Sequence, residues 1–293
     1  MNAIETKALT KYYGKSRGIE AIDLTVEKGD FFGCIGPNGA GKSTLIRTLL
    51  GLISPTGGSG NVLGLDIVKD KTEILSKVGY LPSETAFYHG MKVKEVLRLS
   101  ANLRKKDCTQ MAKQLCERLE LDINKKVETL SFGNRKKVGI VCALQHEPEL
   151  YILDEPTSGL DPLMQKEFFT ILKERNEAGA TVFLSSHVLP EVARHCRHAA
   201  VIREGSVLVS DKVENLGHTG VKQVSLRGVE TPPNLSGVEH VEQEGEQIRF
   251  LYSGGLQELI QALAAVPMQD ITITDPDLEE VFLHYYEKGG AEQ

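Results

Sequence analysis

Residues 36–44 read Gly-Pro-Asn-Gly-Ala-Gly-Lys-Ser-Thr and follow directly on the apolar run Phe31–Ile35. The pattern G-x-x-x-x-G-K-[S/T] after a strand and at the opening of a helix constrains the fold more tightly than anything else in the chain. Glycines let the backbone turn its N–H groups inward around an anion, and the start of the helix adds positive potential. Such a loop belongs at the carboxyl edge of a parallel sheet, where α/β proteins bind their ligands. It assigns phosphate contacts to Gly36, Asn38, Gly39, Ala40, Gly41 and Thr44. Lys42 is placed to reach the terminal phosphates, and the Ser43 hydroxyl to take a position on Mg²⁺.

A second apolar run, Leu-Tyr-Ile-Leu at 150–153, ends in Asp154 and Glu155. Adjacent carboxylates repel unless a cation or a proton separates them, so their place at a strand end points to Mg²⁺ held by Asp154. Glu155 is then positioned to polarise an attacking water. Short apolar runs at 31–35, 151–153 and 182–184 fit strands buried on both faces. Helical stretches at 43–50, 162–178 and 189–196 alternate with them, which gives an α/β architecture with a mostly parallel sheet. The charged, helix-rich stretch 93–121 interrupts that rhythm and is expected to be an inserted helical subdomain.

The texture changes near residues 215–220. Short alternating strands at 221–226, 238–243 and 247–252, a helix near 256–266 and a strand at 271–274 follow. A final helix is expected, capped by Thr274 or Asp275 and opened by Pro276, with Leu278, Val281, Phe282 and Tyr285 as its apolar stripe. No catalytic constellation is evident in this small α+β domain.

A net charge of −6 over 293 residues argues against nucleic-acid binding, which leaves a basic footprint. Five cysteines without a C-x-x-C pair suit a reducing compartment rather than a disulfide framework or a zinc site. His195, Cys196 and His198 invite a metal-site reading, but a second ligand cluster is missing and the reading is set aside. No apolar run approaches the ~20 residues that cross a bilayer, so any work at a membrane needs a separate spanning subunit.

The order of the phosphate loop, Leu130-Ser131-Phe132-Gly133-Asn134, the run LYILDEPTSGLDP and a later Ser-Ser-His resembles the ATP-binding cassette (ABC) ATPase family over roughly residues 4–208. The resemblance implies a P-loop NTPase fold with an N-terminal β subdomain and an inserted helical subdomain. It implies a nucleotide-binding domain over 1–215, with the insertion at about 85–138, and a small α+β accessory domain over 221–293. ATP and Mg²⁺ are the implied ligands and ATP hydrolysis the implied reaction. Two ATPs would be sandwiched in a homodimer, with the phosphate loop of one copy facing Ser131 and Gly133 of the other. By the same resemblance His187 steadies the attack geometry beside Glu155 and Lys42, Asp161 couples the two sites, and Tyr13 stacks on adenine, with Tyr12 as the alternative.

Arg135, Lys136 and Lys137 fall in the first turn of the signature helix, where cations oppose the helix dipole. Either a triphosphate delivered across the dimer offsets them or they splay into solvent. Two departures from the family pattern stand out. The signature has Phe132 and Asn134 where a glycine and a glutamine are usual. After Gly79-Tyr80-Leu81-Pro82, Ser83 and Glu84 stand where a Mg²⁺-binding glutamine is usual.

The ending DPDLEEVFLHYY resembles bacterial exporters whose ATPase closes with a small domain. The expected function is therefore the ATPase subunit of an efflux transporter, cytoplasmic and touching the membrane only through a permease. Two alternatives belong to other classes. A soluble ABC ATPase acting on ribosomes or DNA would usually show tandem cassettes or a long coiled coil. A regulatory module would bind ATP without productive hydrolysis.

Overall fold

The apolar runs become strands buried on both faces: β3 (Phe31–Ile35), β7 (Leu150–Asp154) and β8 (Thr181–Ser186) are buried at every position. The structure is a computed structural model that describes residues 1–216 and 221–274 apart from 230, 234 and 265. It divides into Met1–Ser210 and Asp211–Gln293.

In the first unit β3 pairs in parallel with β8 and with β9 (His198–Arg203), and β7 pairs in parallel with β8 and with β6 (Val78–Leu81). With β10 (Ser206–Lys212) at one edge, the order is β10-β9-β3-β8-β7-β6. All four neighbour pairings made by β3, β7 and β8 bring their carboxyl ends to one edge, and the phosphate loop leaves from it. A second sheet, ordered β2-β1-β4-β5, is built from β1 (Asn2–Tyr13), β2 (Ser16–Glu27), β4 (Gly57–Val62) and β5 (Leu65–Asp66). One apolar core joins Ile4, Leu9, Ile22 and Val62 of this sheet to Phe32, Ile152 and Phe183 of the parallel sheet. Leu45, Ile46 and Leu49 of α1 (Lys42–Leu49) belong to the same core. The loop-bearing helix is thus anchored on an apolar stripe while its first turn stays at the sheet edge.

The helical insertion holds α3 (Val93–Leu103) and α4 (Thr109–Arg118), after α2 (Lys71–Lys77) and before α5 (Phe132–Leu144). Arg118 of α4 bonds both Glu167 and Glu174 of α6 (Pro162–Glu177). That tie joins the insertion to the sheet-packed helices.

Asn176 near the end of α6 shows how the strand layer is pinned from outside. Its Nδ2 donates to the carbonyls of Gly29 (3.0 Å) and Ala180 (2.8 Å), and its Oδ1 accepts from Arg197 Nη2 at 2.9 Å. Asn176 itself is buried while Gly29 and Ala180 are partly exposed and Arg197 is exposed, so Asn176→Ala loses the net worth of these bonds rather than stranding their partners. Urea unfolding of that variant is expected to show a loss of about 1–3 kcal/mol. An unchanged midpoint would mean that the three contacts contribute nothing net.

The second unit has a four-stranded sheet ordered β12-β13-β11-β14, formed by β11 (Val221–Arg227), β12 (Val238–Glu244), β13 (Gln247–Ser253) and β14 (Asp270–Thr274). Leu259 and Leu263 of the helix Leu256–Ala264 join Val224, Leu226, Phe250 and Tyr252 in its core. The described extent of that helix, Leu256–Ala264, lies within the expected 256–266. The final helix with its stripe of Leu278, Val281, Phe282 and Tyr285 lies outside the described residues.

Candidate active site

Gly41 closes the phosphate loop with φ +107°, a conformation that side chains rarely adopt, and a Cβ there would sit 2.6 Å from the Gly18 carbonyl. Only glycine lets the loop turn this tightly against β2. Lys42, the first residue of α1, folds back over the loop: its Nζ donates to the carbonyls of Gly36 (2.6 Å) and Pro37 (3.1 Å). Asn38 and Gly39 are exposed at the tip, Ala40 is buried, and Ser43 and Thr44 are half-buried behind Lys42.

Asp154 and Glu155 leave the end of β7 in different directions. Asp154 is fully buried; its Oδ1 accepts from the Ser185 hydroxyl at 2.6 Å, while Oδ2 has no partner. Glu155 takes φ +46°, and its N–H donates to Ser185 Oγ at 3.1 Å. The Glu155 carboxylate lies between two cation-forming groups. Oε1 is 3.2 Å from Lys42 Nζ, an ion pair that falls short of hydrogen-bond geometry, and Oε2 is 2.7 Å from His187 Nδ1. His187 follows β8 and is half exposed. Lys42, Glu155 and His187, from three separate strand ends, therefore form one continuous polar chain.

The signature segment begins with Ser131, whose hydroxyl caps α5 by accepting from the Asn134 N–H at 3.3 Å. Gly133 lies so close to Gly159 that a Cβ would run into the Gly159 carbonyl, and a Cβ on Gly159 would run into the Phe132 ring. Phe132, in the place of the usual glycine, thus packs on the turn before α6 and remains 46% exposed. Asp161 caps α6, its Oδ1 accepting from Leu163 N–H (3.1 Å) and Met164 N–H (3.0 Å). At the other end of the loop, the Tyr12 hydroxyl donates to Glu20 Oε1 at 2.8 Å, whereas the Tyr13 ring is 47% exposed. The Tyr13 ring and Thr44 both border Gly18, which brings the aromatic next to the phosphate loop.

The basic triplet does not splay into solvent. Lys136 and Lys137 are buried, and Lys136 turns inward to backbone carbonyls of Pro82, Ser83 and Asp154. Burial pushes the Lys136 ammonium down to about 8, against the opposing pull of Asp154 and Glu155. Arg135 Nη1 donates to the Leu130 carbonyl at 2.9 Å. Arg135 and Lys136 thus meet carbonyl oxygens of the same chain, those of Lys136 supplied by strand ends that the fold brings in.

Sequence reasoning also passed over Ser185, the residue that holds both acids. Its signal was its position, two residues before His187 at the end of a buried strand. His195, Cys196 and His198 go separate ways: His195 stacks on Phe169 at 3.8 Å, Cys196 is buried, and His198 Nδ1 lies 2.9 Å from Asp30 Oδ2.

A family model described as ABC transporter matches residues 19–158. The bacitracin transport ATP-binding protein BcrA of Bacillus licheniformis is 39% identical over 212 residues, which cover 70% of this chain and 68% of the relative.

The chain belongs to the ABC transporter family.

It has the ABC ATPase fold and is the ATP-binding, ATP-hydrolysing subunit of an ABC transporter. The ABC transporter ATP-binding protein YhaQ of Bacillus subtilis is 32% identical, with 97% of each chain covered. The linearmycin resistance ATP-binding protein LnrL of the same species is 29% identical over 96% of this chain and 97% of its own. Among solved structures, an ATP-binding subunit of an ABC transporter superposes with a TM-score of 0.70 at 29% identity, covering 73% of this chain and 91% of that one. A dimeric bacterial ABC transporter cassette gives 0.64 at 26% identity, covering 72% and 98%. No helix among the described residues is long and apolar enough to cross a membrane.

Proposed function

We propose that this ABC ATPase powers efflux through a separate membrane permease, with two copies closing on two ATPs and reopening after hydrolysis. The observation that carries the reading is the polar chain Lys42–Glu155–His187 at the sheet edge. Efflux as the direction is supported by relatives whose names include bacitracin transport and linearmycin resistance. On this reading the ATPase works on the inner face of the cell membrane, bound through the permease. A groove of about 650 Å³ in the helical insertion suits an acidic amphipathic segment of that partner. Arg98, Lys105 and Lys113 rim it, and Leu97, Ala101 and Cys116 form its floor.

The residues divide the work in a consistent way. The loop from Gly36 to Gly41 supplies N–H groups to the phosphates, and Lys42 leaves Glu155 to meet them. Tyr13 stacks on adenine. The buried Asp154 Oδ2 without a partner suits a cation, and with the Ser43 hydroxyl it would hold Mg²⁺. Bound there, Mg²⁺ neutralises charge on the phosphate oxygens. Glu155, held by His187, orients the attacking water and takes up its proton. Ser131 and Gly133 face the ATP of the second copy, and Asp161 lies at the same interface.

The test is sedimentation of purified Glu155→Gln protein with and without Mg²⁺ and ATP. The expected result is a monomer that becomes a dimer on nucleotide addition and stays monomeric when Ser131→Arg is added. Dimerisation that survives Ser131→Arg would remove the signature from the interface.

A further inference from the structure

Lys136 is 1% exposed, deeper than the phosphate-loop Lys42 at 5%. Its Nζ donates to the carbonyls of Ser83 (2.9 Å), Pro82 (3.1 Å) and, at the longest reach, Asp154 (3.4 Å). Among the described residues no carboxylate forms an ion pair with it. A buried ammonium is costly even when hydrogen-bonded, and an apolar side chain of similar volume would fill the space at lower cost. Packing therefore does not explain a lysine here, and its three acceptors show what the charge holds.

Pro82 and Ser83 follow the end of β6, and Asp154 ends the neighbouring strand β7. Lys136 sits in the first turns of α5, the helix whose start carries Ser131 and Gly133. One ammonium thus fastens two adjacent strand ends to the signature helix. The contact with Asp154 has a further consequence. The Asp154 carbonyl and the Glu155 N–H belong to the same peptide group. Lys136 takes its oxygen and Ser185 Oγ takes its N–H at 3.1 Å, so the peptide is clamped from both sides. Rotation of that peptide would swing the Glu155 side chain, and Glu155 already has the left-handed φ of +46°, which side chains disfavour.

We infer that Lys136 is a positioning residue for ATP hydrolysis, orienting Glu155 through the Asp154–Glu155 peptide and tying it to the segment at Pro82–Ser83. The inference rests on the proposed role of Glu155 as the water-orienting group. It also gives the Ser83 segment, which lacks the family's usual glutamine, a fixed link to the catalytic strand through its backbone.

The experiment measures kcat, KM and equilibrium ATP binding with Mg²⁺ for the full-length Lys136→Met and Lys136→Arg variants, with Glu155→Gln in parallel. Lys136→Met is expected to lower kcat by about 10- to 100-fold while KM and ATP binding stay within about threefold, because positioning is lost but the phosphate loop is untouched. Lys136→Arg keeps the charge and the donors and is expected to recover most of the rate. Wild-type turnover in a folded Lys136→Met overturns the inference, as does an arginine variant no faster than the methionine one. Where Lys136→Met does not fold, Lys136→Gln, which keeps two donors without the charge, takes its place. Failure of that variant to fold overturns the inference too, since Lys136 would then serve the fold alone. If Glu155→Gln itself turns over normally, the role of Glu155 fails independently of anything seen at Lys136.

Discussion

Glu155→Gln is expected to cut steady-state ATP turnover by roughly 10²- to 10⁴-fold, the range ascribed to a positioned general base. It is also expected to bind ATP more tightly than the native chain. The first effect follows from chemistry: a carboxamide keeps the shape and the bond to His187 but cannot take up a proton from water. The second comes from the geometry without nucleotide. Glu155 Oε1 lies 3.2 Å from the Lys42 ammonium, so a phosphate must draw the lysine away from a carboxylate before it can bind. Replacing that competitor by a neutral amide removes an opposing charge, and the expected gain is a few-fold up to about tenfold in affinity. Single-turnover hydrolysis and equilibrium ATP titration separate the two effects. A variant that binds more tightly but hydrolyses within about threefold of the native rate would leave the competition intact and remove Glu155 as the base.

Lys42→Ala should show the same contact from the opposite side. Loss of a charge-assisted donor to the phosphates is expected to weaken ATP binding by about 10- to 100-fold. The nucleotide-free protein should also lose stability, because Glu155 is left largely buried with one partner fewer. His187 remains 2.7 Å from Oε2, so the loss belongs at or below the low end of the roughly 3–5 kcal/mol typical of a broken buried pair. Adding Glu155→Gln to Lys42→Ala removes the stranded charge. The double variant should therefore regain thermal stability without regaining ATP affinity. Thermal unfolding without nucleotide reads the first quantity and ATP titration the second. If the double variant were less stable than Lys42→Ala alone, the ion pair would not be the source of the loss.

The central strands of the parallel sheet were legible in the sequence because their burial does not depend on a distant partner's shape. β3, β7 and β8 are enclosed on both faces, so their sequences are almost wholly apolar and read as buried strands. The long strands β1 and β2 were covered only by the family's expected β subdomain, and their pairing shows why. Their register shifts repeatedly, between Asn2 and Ile4, Thr6 and Leu9, and again before Lys11 and Tyr12. Each irregularity breaks the two-residue alternation by which a half-buried strand is recognised. The inward turn of Lys136 was missed for a related reason. A lysine in a first helical turn reads as exposed unless acceptors are known, and the acceptors of Lys136 at Pro82 and Ser83 come from more than fifty residues earlier in the chain.

The amino-acid sequence by itself determined the phosphate loop, the acid pair and the order of the motifs. Those features depend on covalent spacing and local sterics: glycines where the backbone must turn, a lysine opening the helix, two acids at the end of an apolar strand. Tertiary structure alone decided which charge meets which. It set Glu155 between Lys42 and His187, turned Lys136 inward to three carbonyls, and laid Phe132 against Gly159. Each of these depends on bringing strand ends and turns from separate parts of the chain within a few ångströms. That proximity comes from the packing of the sheet and its helices, and no local pattern encodes it.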